Sequence, residues 1–277
     1  SVNMIVYGTV TGASVGALFM SGFGAGIVYG LSFVVYTFFY AKRHPEIQRE
    51  TRKTWGERLV AIKESIWGMG VPIIILGGIY GGFFTPTEAA AVAAVYALVC
   101  GLFIYREINL KNLFSTIANA CSTNGTTMVI IGCATAFTRI LTLEQIPALV
   151  SNALIGISDN PIIILLLINL LLLFVGCFMD TTPAMMVLSP ILLPVALEMG
   201  LSAVHFGIIM VVNLAIGFIT PPLGINLFVA SGMTKIPMLK LAKACMPYIA
   251  AFLISLGMIT YIPQISMGLP TLLSGEE

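Results

Sequence analysis

Long stretches of this sequence carry no charge, and that distribution limits the fold more than any motif does. Residues 1–41 contain no Asp, Glu, Lys or Arg, and between Lys111 and Lys235 the only basic residue is Arg139. A helix crosses a hydrocarbon core about 30 Å thick with about 20 apolar residues. In lipid a backbone must satisfy its own polar groups, which leaves helices and closed barrels. The apolar runs here are continuous rather than alternating, so they select helices. Only 9% of the 277 residues are charged, where a soluble domain carries about a quarter. The chain therefore reads as an all-α polytopic membrane protein, long enough for roughly eight to nine spans. A net charge of +1 offers no footprint for nucleic acid. The cysteines (Cys100, Cys121, Cys133, Cys177, Cys245) are scattered singly in apolar stretches, which encodes neither a zinc site nor a disulfide framework and reads as small buried hydrophobes. His44 and His205 lie far apart and are given no catalytic role.

Five segments emerge from the charge pattern. Residues 1–41 form a half-helix and a span, with Gly22, Gly26 and Gly30 at four-residue spacing for close helix packing. Residues 42–66 are the one strongly charged stretch. Trp55, Leu59, Ile62 and Ile66 make one helical stripe there, so 46–66 reads as an amphipathic helix lying in the cytoplasmic interface, a mechanical brace against membrane lipid. Residues 67–142 hold further spans, with a capping box expected at Thr85-Pro86-Thr87-Glu88. Residues 143–234 hold two apolar arms and a helix interrupted at Thr220-Pro221-Pro222-Leu223-Gly224, and 235–277 hold a final span and tail.

The connections at 143–160 and 198–205 carry Glu144, Asp159 and Glu198 but no Lys or Arg, which places both outside by the positive-inside rule. The arms between them, joined at Met179-Asp180-Thr181-Thr182-Pro183, then either make two full spans or a re-entrant hairpin. The second arm is short and holds Pro190 and Pro194, which favours the hairpin. Asn226-Leu-Phe-Val after the Pro-Pro break aligns without gaps with Asn3-Met-Ile-Val, and Thr234 then falls on Thr11. The two segments run in opposite senses by the charge count, the pattern of an inverted-topology repeat with sites at its discontinuities. On that reading the chain begins just after a first break, with a Pro-Pro pair expected before Ser1, and the first repeat is missing from it.

A carboxylate at membrane depth costs roughly 2.5–3.5 kcal/mol on insertion scales and marks function by default. Asp180 is such a carboxylate, and Thr181 and Thr182 add oxygens beside it. The second break offers Asn213, Gly217, Thr220 and Asn226. Oxygen-rich, unwound segments of this kind coordinate Na⁺; the plainer role for Asp180 is a helix cap. Arg139 is the one cation available to an anionic substrate over a long interval, and its fork suits carboxylates; the plainer role is snorkelling to the surface. Thr126 on the same polar helix, and the helix N-termini at Pro183 and Gly224, complete the candidate substrate contacts.

Gly81-Gly82-Phe-Phe-Thr-Pro-Thr-Glu-Ala-Ala-Ala, Gly176-Cys-Phe-Met-Asp-Thr-Thr-Pro, Pro190-Ile-Leu-Leu-Pro and Asn213-Leu-Ala-Ile-Gly-Phe-Ile-Thr-Pro-Pro-Leu-Gly-Ile-Asn-Leu-Phe-Val stand in this order. Together they resemble the large membrane subunit of tripartite ATP-independent periplasmic (TRAP) transporters over essentially the whole chain. The resemblance implies sodium-driven symport of an organic-acid anion, such as sialic acid, across the bacterial inner membrane by an elevator motion. It implies Na⁺ as coupling ion and two partners, a small membrane subunit and a periplasmic substrate-binding protein. The alternatives are a cation-coupled carboxylate transporter without a binding protein, or an ion channel, which would need acidic rings or a carbonyl filter. A membrane enzyme would need a Ser–His or Asp–Asp pair or a metal cluster, and none is legible.

Overall fold

The computed structural model of the protein describes residues 1–44, 53–158 and 160–274. All regular structure among them is helical: α1 (Val2–Thr11), α2 (Val15–Arg43), α3 (Trp55–Tyr80), α4 (Pro86–Val99) continued by a π-helical turn (Cys100–Ile104), α5 (Leu110–Leu143), α6 (Ile146–Ile155), α7 (Pro161–Phe178), α8 (Thr181–Glu198), α9 (Ala203–Gly217), α10 (Ile225–Thr234), α11 (Met238–Tyr261) and α12 (Gln264–Ser274). Seven helices among the described residues are long and apolar enough to cross a membrane: α2, α3, α4 with its π turn, α5, α7, α8 and α11. Length alone allows more, but α1, α6, α9, α10 and α12 stop at 10 to 15 residues. The long helices present side chains that lipid solvates and water would not: Phe103 is 71% exposed and Ile254 68%.

The chain divides into two compact units, Ser1–His44 with Val129–Glu277, and Pro45–Met128. These bounds cut across the segments drawn from charge, because the second half of α5 groups with the hairpin rather than with the spans before it. In the first unit α9 is the central helix. It is apolar apart from His205 and Asn213, and Phe206, Ile208, Ile209, Met210, Leu214 and Ile216 are buried against α7, α8, α2, α11 and α1.

The internal repeat is visible in the helix bounds. The alignment that pairs Asn3 with Asn226 carries Val2–Thr11 onto Ile225–Thr234, Gly12 onto Lys235 and Val15 onto Met238, the first residues of α2 and α11. Gly12 and Lys235 both end their helices in the left-handed conformation.

In the second unit the helix bounds differ from those drawn for the brace. Residues 45–52 lie outside the described residues, and from Trp55 the chain forms one helix, Trp55–Tyr80, with no break at 66. Thr54 caps it: its Oγ1 accepts from Glu57 N–H while Glu57 reaches back to Thr54 N–H, 2.7 Å away. Nothing between Trp55 and Val71 stops a helix, since glycines at 56, 68 and 70 weaken it without ending it. The stripe is thus the first half of a longer helix. Tyr96 Oη donates to the Trp67 carbonyl at 3.0 Å and Tyr105 Oη to that of Glu64 at 2.7 Å, tying it to α4 and its π turn. The capping box at Thr85 forms as expected, with Glu88 Oε2 2.8 Å from Thr85 N.

Two packing expectations also change. A Cβ on Gly22 would meet Met4, but Gly26 and Gly30 have nothing near; Gly24 is the glycine that α2 needs, since a Cβ there would run into the Ile265 carbonyl of α12. Cys100 and Cys177 are buried, whereas Cys121 and Cys133 are exposed on α5, whose apolar surroundings in sequence do not reveal which side faces lipid.

Candidate functional site

A hairpin tip and a helix break meet in the first unit. Pro161 at the first position and Asn160, whose Oδ1 accepts from Ile162 N–H at 3.0 Å, start α7. It ends at Phe178, and after Met179-Asp180 the chain turns into α8. Asp180 is the N-cap: its Oδ1 accepts from Thr182 N–H and Thr181 Oγ1–H, each at 3.3 Å. The helix therefore starts two residues before Pro183, which contributes no N–H of its own. The anion-binding end expected at Pro183 lies instead at Thr181 and Thr182.

Asn3, at the start of α1, holds both threonines. Its Nδ2 donates to Thr181 Oγ1 at 2.9 Å and its Oδ1 accepts from Thr182 Oγ1 at 3.3 Å. A closed network results, from Asn3 through Thr181 to the Asp180 carboxylate. Asn3 is not among the sequence candidates, although its alignment with Asn226 is the signal that marks it.

The break arises from Pro221, Pro222 and Gly224. Two prolines withdraw consecutive N–H donors, and Gly224 adopts φ 53° as N-cap of α10, close to the expected helix start. The break is fixed against the hairpin. Gly224 N–H donates to the Cys177 carbonyl at 3.2 Å, and Gly217 packs directly on Gly176, where a Cβ on Gly217 would lie 2.6 Å from Gly176 Cα. Thr220 Oγ1 donates to Ile216 O at 2.7 Å, and Asn226 is exposed with its N–H on Phe218 O at 3.1 Å. Asp180, Thr181 and Thr182 thus sit three to five residues past the carbonyl that grips the break. This is a concentration of carboxylate, hydroxyl and carbonyl oxygens of the kind a hard monovalent cation takes.

Three candidates fall elsewhere. Asn213 is fully buried within α9, its Nδ2 donating to Asn169 O at 2.9 Å and Asn169 Oδ1 at 2.7 Å; Asn169 in turn donates to Thr260 Oγ1 at 3.2 Å. The amide is committed to joining α7, α9 and α11, although Asn213 Oδ1 has no partner. Thr126 belongs to the second unit, where its Oγ1 bonds back to Ser122 O at 3.1 Å. Arg139 is exposed on α5 and makes no hydrogen bond or ion pair among the described residues. Its neighbour Thr138 turns inward and donates to the Met186 carbonyl of α8 at 3.2 Å. Thr9, Val10, Ile131, Thr135, Thr138 and Met186 line a cavity of about 370 Å³ between α1, α5 and α8.

Comparison with known proteins extends this picture. The family model described as tripartite ATP-independent periplasmic transporter, DctM component, matches residues 1–265. The chain is 44% identical to the isethionate TRAP transporter permease protein DctMQ of Oleidesulfovibrio alaskensis, over 95% of this chain and 41% of that protein. It is 40% identical to the C4-dicarboxylate TRAP transporter large permease protein DctM of Pseudomonas aeruginosa, over 98% of this chain and 63% of the relative. It is 36% identical to the sialic acid TRAP transporter large permease protein SiaM of Vibrio cholerae, over 99% and 64%. The chain therefore spans less than two thirds of the length of these relatives, all of which are permeases by name and none an enzyme. With its apolar helices and a family match over nearly its whole length, the chain belongs to the DctM component family of tripartite ATP-independent periplasmic transporters, as a multi-pass inner-membrane protein.

Proposed function

We propose that this chain forms the Na⁺-coupled half-site of a secondary transporter that takes up an organic-acid anion across the inner membrane. The observation that carries the reading is the seating of the 217–224 break on the hairpin that ends in Asp180, Thr181 and Thr182. Na⁺ would take its oxygens from that tip and from Gly217 and Thr220 of the break, with Asn226 at the rim and Asn213 supporting the helix pair. The substrate anion would use Arg139 and the helix start at Thr181 and Thr182, with Pro183 in the same first turn. The matching helix bounds of α1–α2 and α10–α11 support an inverted repeat, in which hairpin and broken helix move together as the sliding part of an elevator.

The relatives' names cover isethionate, C4-dicarboxylates and sialic acid. They support the class of organic-acid anion more than sialic acid in particular. The tripartite family supports a small membrane subunit and a periplasmic binding protein as partners; a carrier that works without the binding protein is the second reading. Reconstitution of the whole transporter in liposomes tests both. Uptake should require an inward Na⁺ gradient and the loaded binding protein. Uptake driven equally well without Na⁺ would overturn the coupling, uptake of free substrate at an undiminished rate would favour the second reading, and failure of counterflow would favour a channel.

A further inference from the structure

His205 has no part in the transport reading, yet its surroundings differ from those of an inert core histidine. It lies in the first turn of α9 and is 1% exposed, with Thr260 at 2% and Ser266 at 0% beside it. Its Nε2 is 3.3 Å from the Thr260 carbonyl and its Nδ1 is 2.6 Å from Ser266 Oγ. A carbonyl only accepts, so Nε2 carries a hydrogen. Ser266 has one hydroxyl hydrogen and two places to put it, Nδ1 or the Pro263 carbonyl at 3.1 Å.

Two complete arrangements result. In one, the hydroxyl donates to Nδ1 and the imidazole is neutral. In the other, the hydroxyl turns to Pro263 O, Nδ1–H donates to Ser266 Oγ, and the ring is an imidazolium. Neither leaves a ring nitrogen unpaired. Burial disfavours the charged form, and two features oppose it in part. Thr260 lies in the last turn of α11, whose terminal carbonyls carry the negative end of the helix dipole. His205, Ser202, Thr260, Tyr261 and Thr271 also line a cavity of about 470 Å³, room for several waters. The titratable groups nearby are engaged elsewhere: Tyr7 of α1 donates to Ala203 O at 2.7 Å, Tyr261 of α11 to Ile162 O at 3.0 Å, and Glu198 at the end of α8 accepts from Ser151 Oγ at 2.8 Å. Cys177 of α7 donates to Leu173 O, Tyr29 of α2 stacks on Phe252, and α12 has no ionisable side chain.

We infer that His205 is a reversible proton-binding site, in which Nδ1 takes a proton from hydronium in the cavity, leaving water, while the Ser266 hydroxyl swings from Nδ1 to the Pro263 carbonyl. The site joins α9 to α11 and α12, so its occupancy is felt where those three helices pack. This goes beyond the transport reading, and its readout needs no transport.

The sequence has two histidines, His44 and His205, so His44→Asn leaves a single ring to observe. Nitrogen-15 NMR of histidine-labelled protein in lipid nanodiscs, from about pH 8 to about pH 4.5, reads each nitrogen separately. At high pH His205 should carry its proton on Nε2 alone, and at low pH on both nitrogens. Ser266→Ala leaves the Nδ1–H of the imidazolium without its acceptor, so the midpoint should fall by about one pH unit, a tenfold loss of proton affinity. Ser266→Thr should restore it. A ring that stays neutral to the lowest pH, a high-pH proton on Nδ1, or an unmoved midpoint in Ser266→Ala would each overturn the inference.

Discussion

Gly176 and Gly217 meet backbone to backbone: a Cβ on Gly217 would lie 2.6 Å from the Cα and carbonyl carbon of Gly176, and one on Gly176 would lie 3.2 Å from Gly217 Cα. Neither obstacle is a flexible side chain, so an added methyl has to push α7 and α9 apart. The pair lies next to Cys177, whose carbonyl holds Gly224, and any separation loosens the break from the hairpin. Gly217→Ala should cost about 1–3 kcal/mol by overpacking and reduce Na⁺-driven uptake far more than the amount of inserted protein. Gly26→Ala, with open space at its Cβ, is the matched control and should change neither. Equal uptake per inserted molecule in the two variants would show that the close approach does not position the site.

Thr138 answers a defect that Pro190 creates. A proline inside α8 supplies no N–H for the carbonyl four residues earlier, which is Met186. Thr138 Oγ1 donates to that carbonyl from α5, replacing a bond within one helix by a bond between two. Thr138→Val should therefore destabilise by about 1–3 kcal/mol, the cost of a buried acceptor left unpaired. In a Pro190→Ala background, where the helix supplies its own donor, the same change should be close to neutral. A double-mutant cycle on unfolding in detergent measures the coupling, and additive effects would dissociate Thr138 from the proline.

These two relationships mark where sequence reading stops. The apolar runs, the cap at Thr85, the turn at Met179-Asp180 and the break at Pro221-Pro222 are local, and local chemistry makes them legible. The repeat is legible too, because Asn3 and Asn226 stand in matching frames. Composition does not reveal which glycine faces which: Gly22, Gly26 and Gly30 form the better motif, but Gly24, Gly176 and Gly217 make the close approaches. The end drawn for the brace helix is misplaced for a similar reason. Charge falls off near residue 66, but a helix ends where its hydrogen bonds do, and nothing before Pro72 removes a donor. Asn213 carries the right oxygen for a sodium ligand, and its commitment to Asn169 depends on a contact 44 positions away.

Asp180 has two roles that one pair of substitutions separates. As N-cap of α8 its carboxylate accepts from Thr182 N–H, and Asn serves that purpose about as well as Asp, whereas Ala loses about 1 kcal/mol. As a sodium ligand it supplies charge, which Asn lacks. Asp180→Asn should leave the unfolding temperature at that of the parent and still abolish Na⁺-driven uptake; Asp180→Ala should abolish uptake and also lower the unfolding temperature by about 2–4 °C. Wild-type uptake with unchanged sodium dependence in Asp180→Asn would leave the residue as a cap alone.

Arg139 is set apart from its neighbours on α5 by what it does not touch. Thr138 is bonded to α8, but the guanidinium one residue on is exposed and has no partner among the described residues. An anion entering a low-dielectric cavity needs a cation or aimed N–H groups to offset its desolvation. Between Lys111 and Lys235 no other basic side chain is available. Arg139→Lys keeps the charge and loses the planar fork, so uptake should fall partway and half-saturation should rise. Arg139→Ala should fall further, with sodium binding retained because the hairpin tip is intact. A snorkelling arginine makes the opposite forecast, with Lys working nearly as well as Arg and apparent affinity unmoved. Uptake measured against substrate concentration in both variants decides between them, and an unaltered half-saturation in both removes Arg139 from the substrate site.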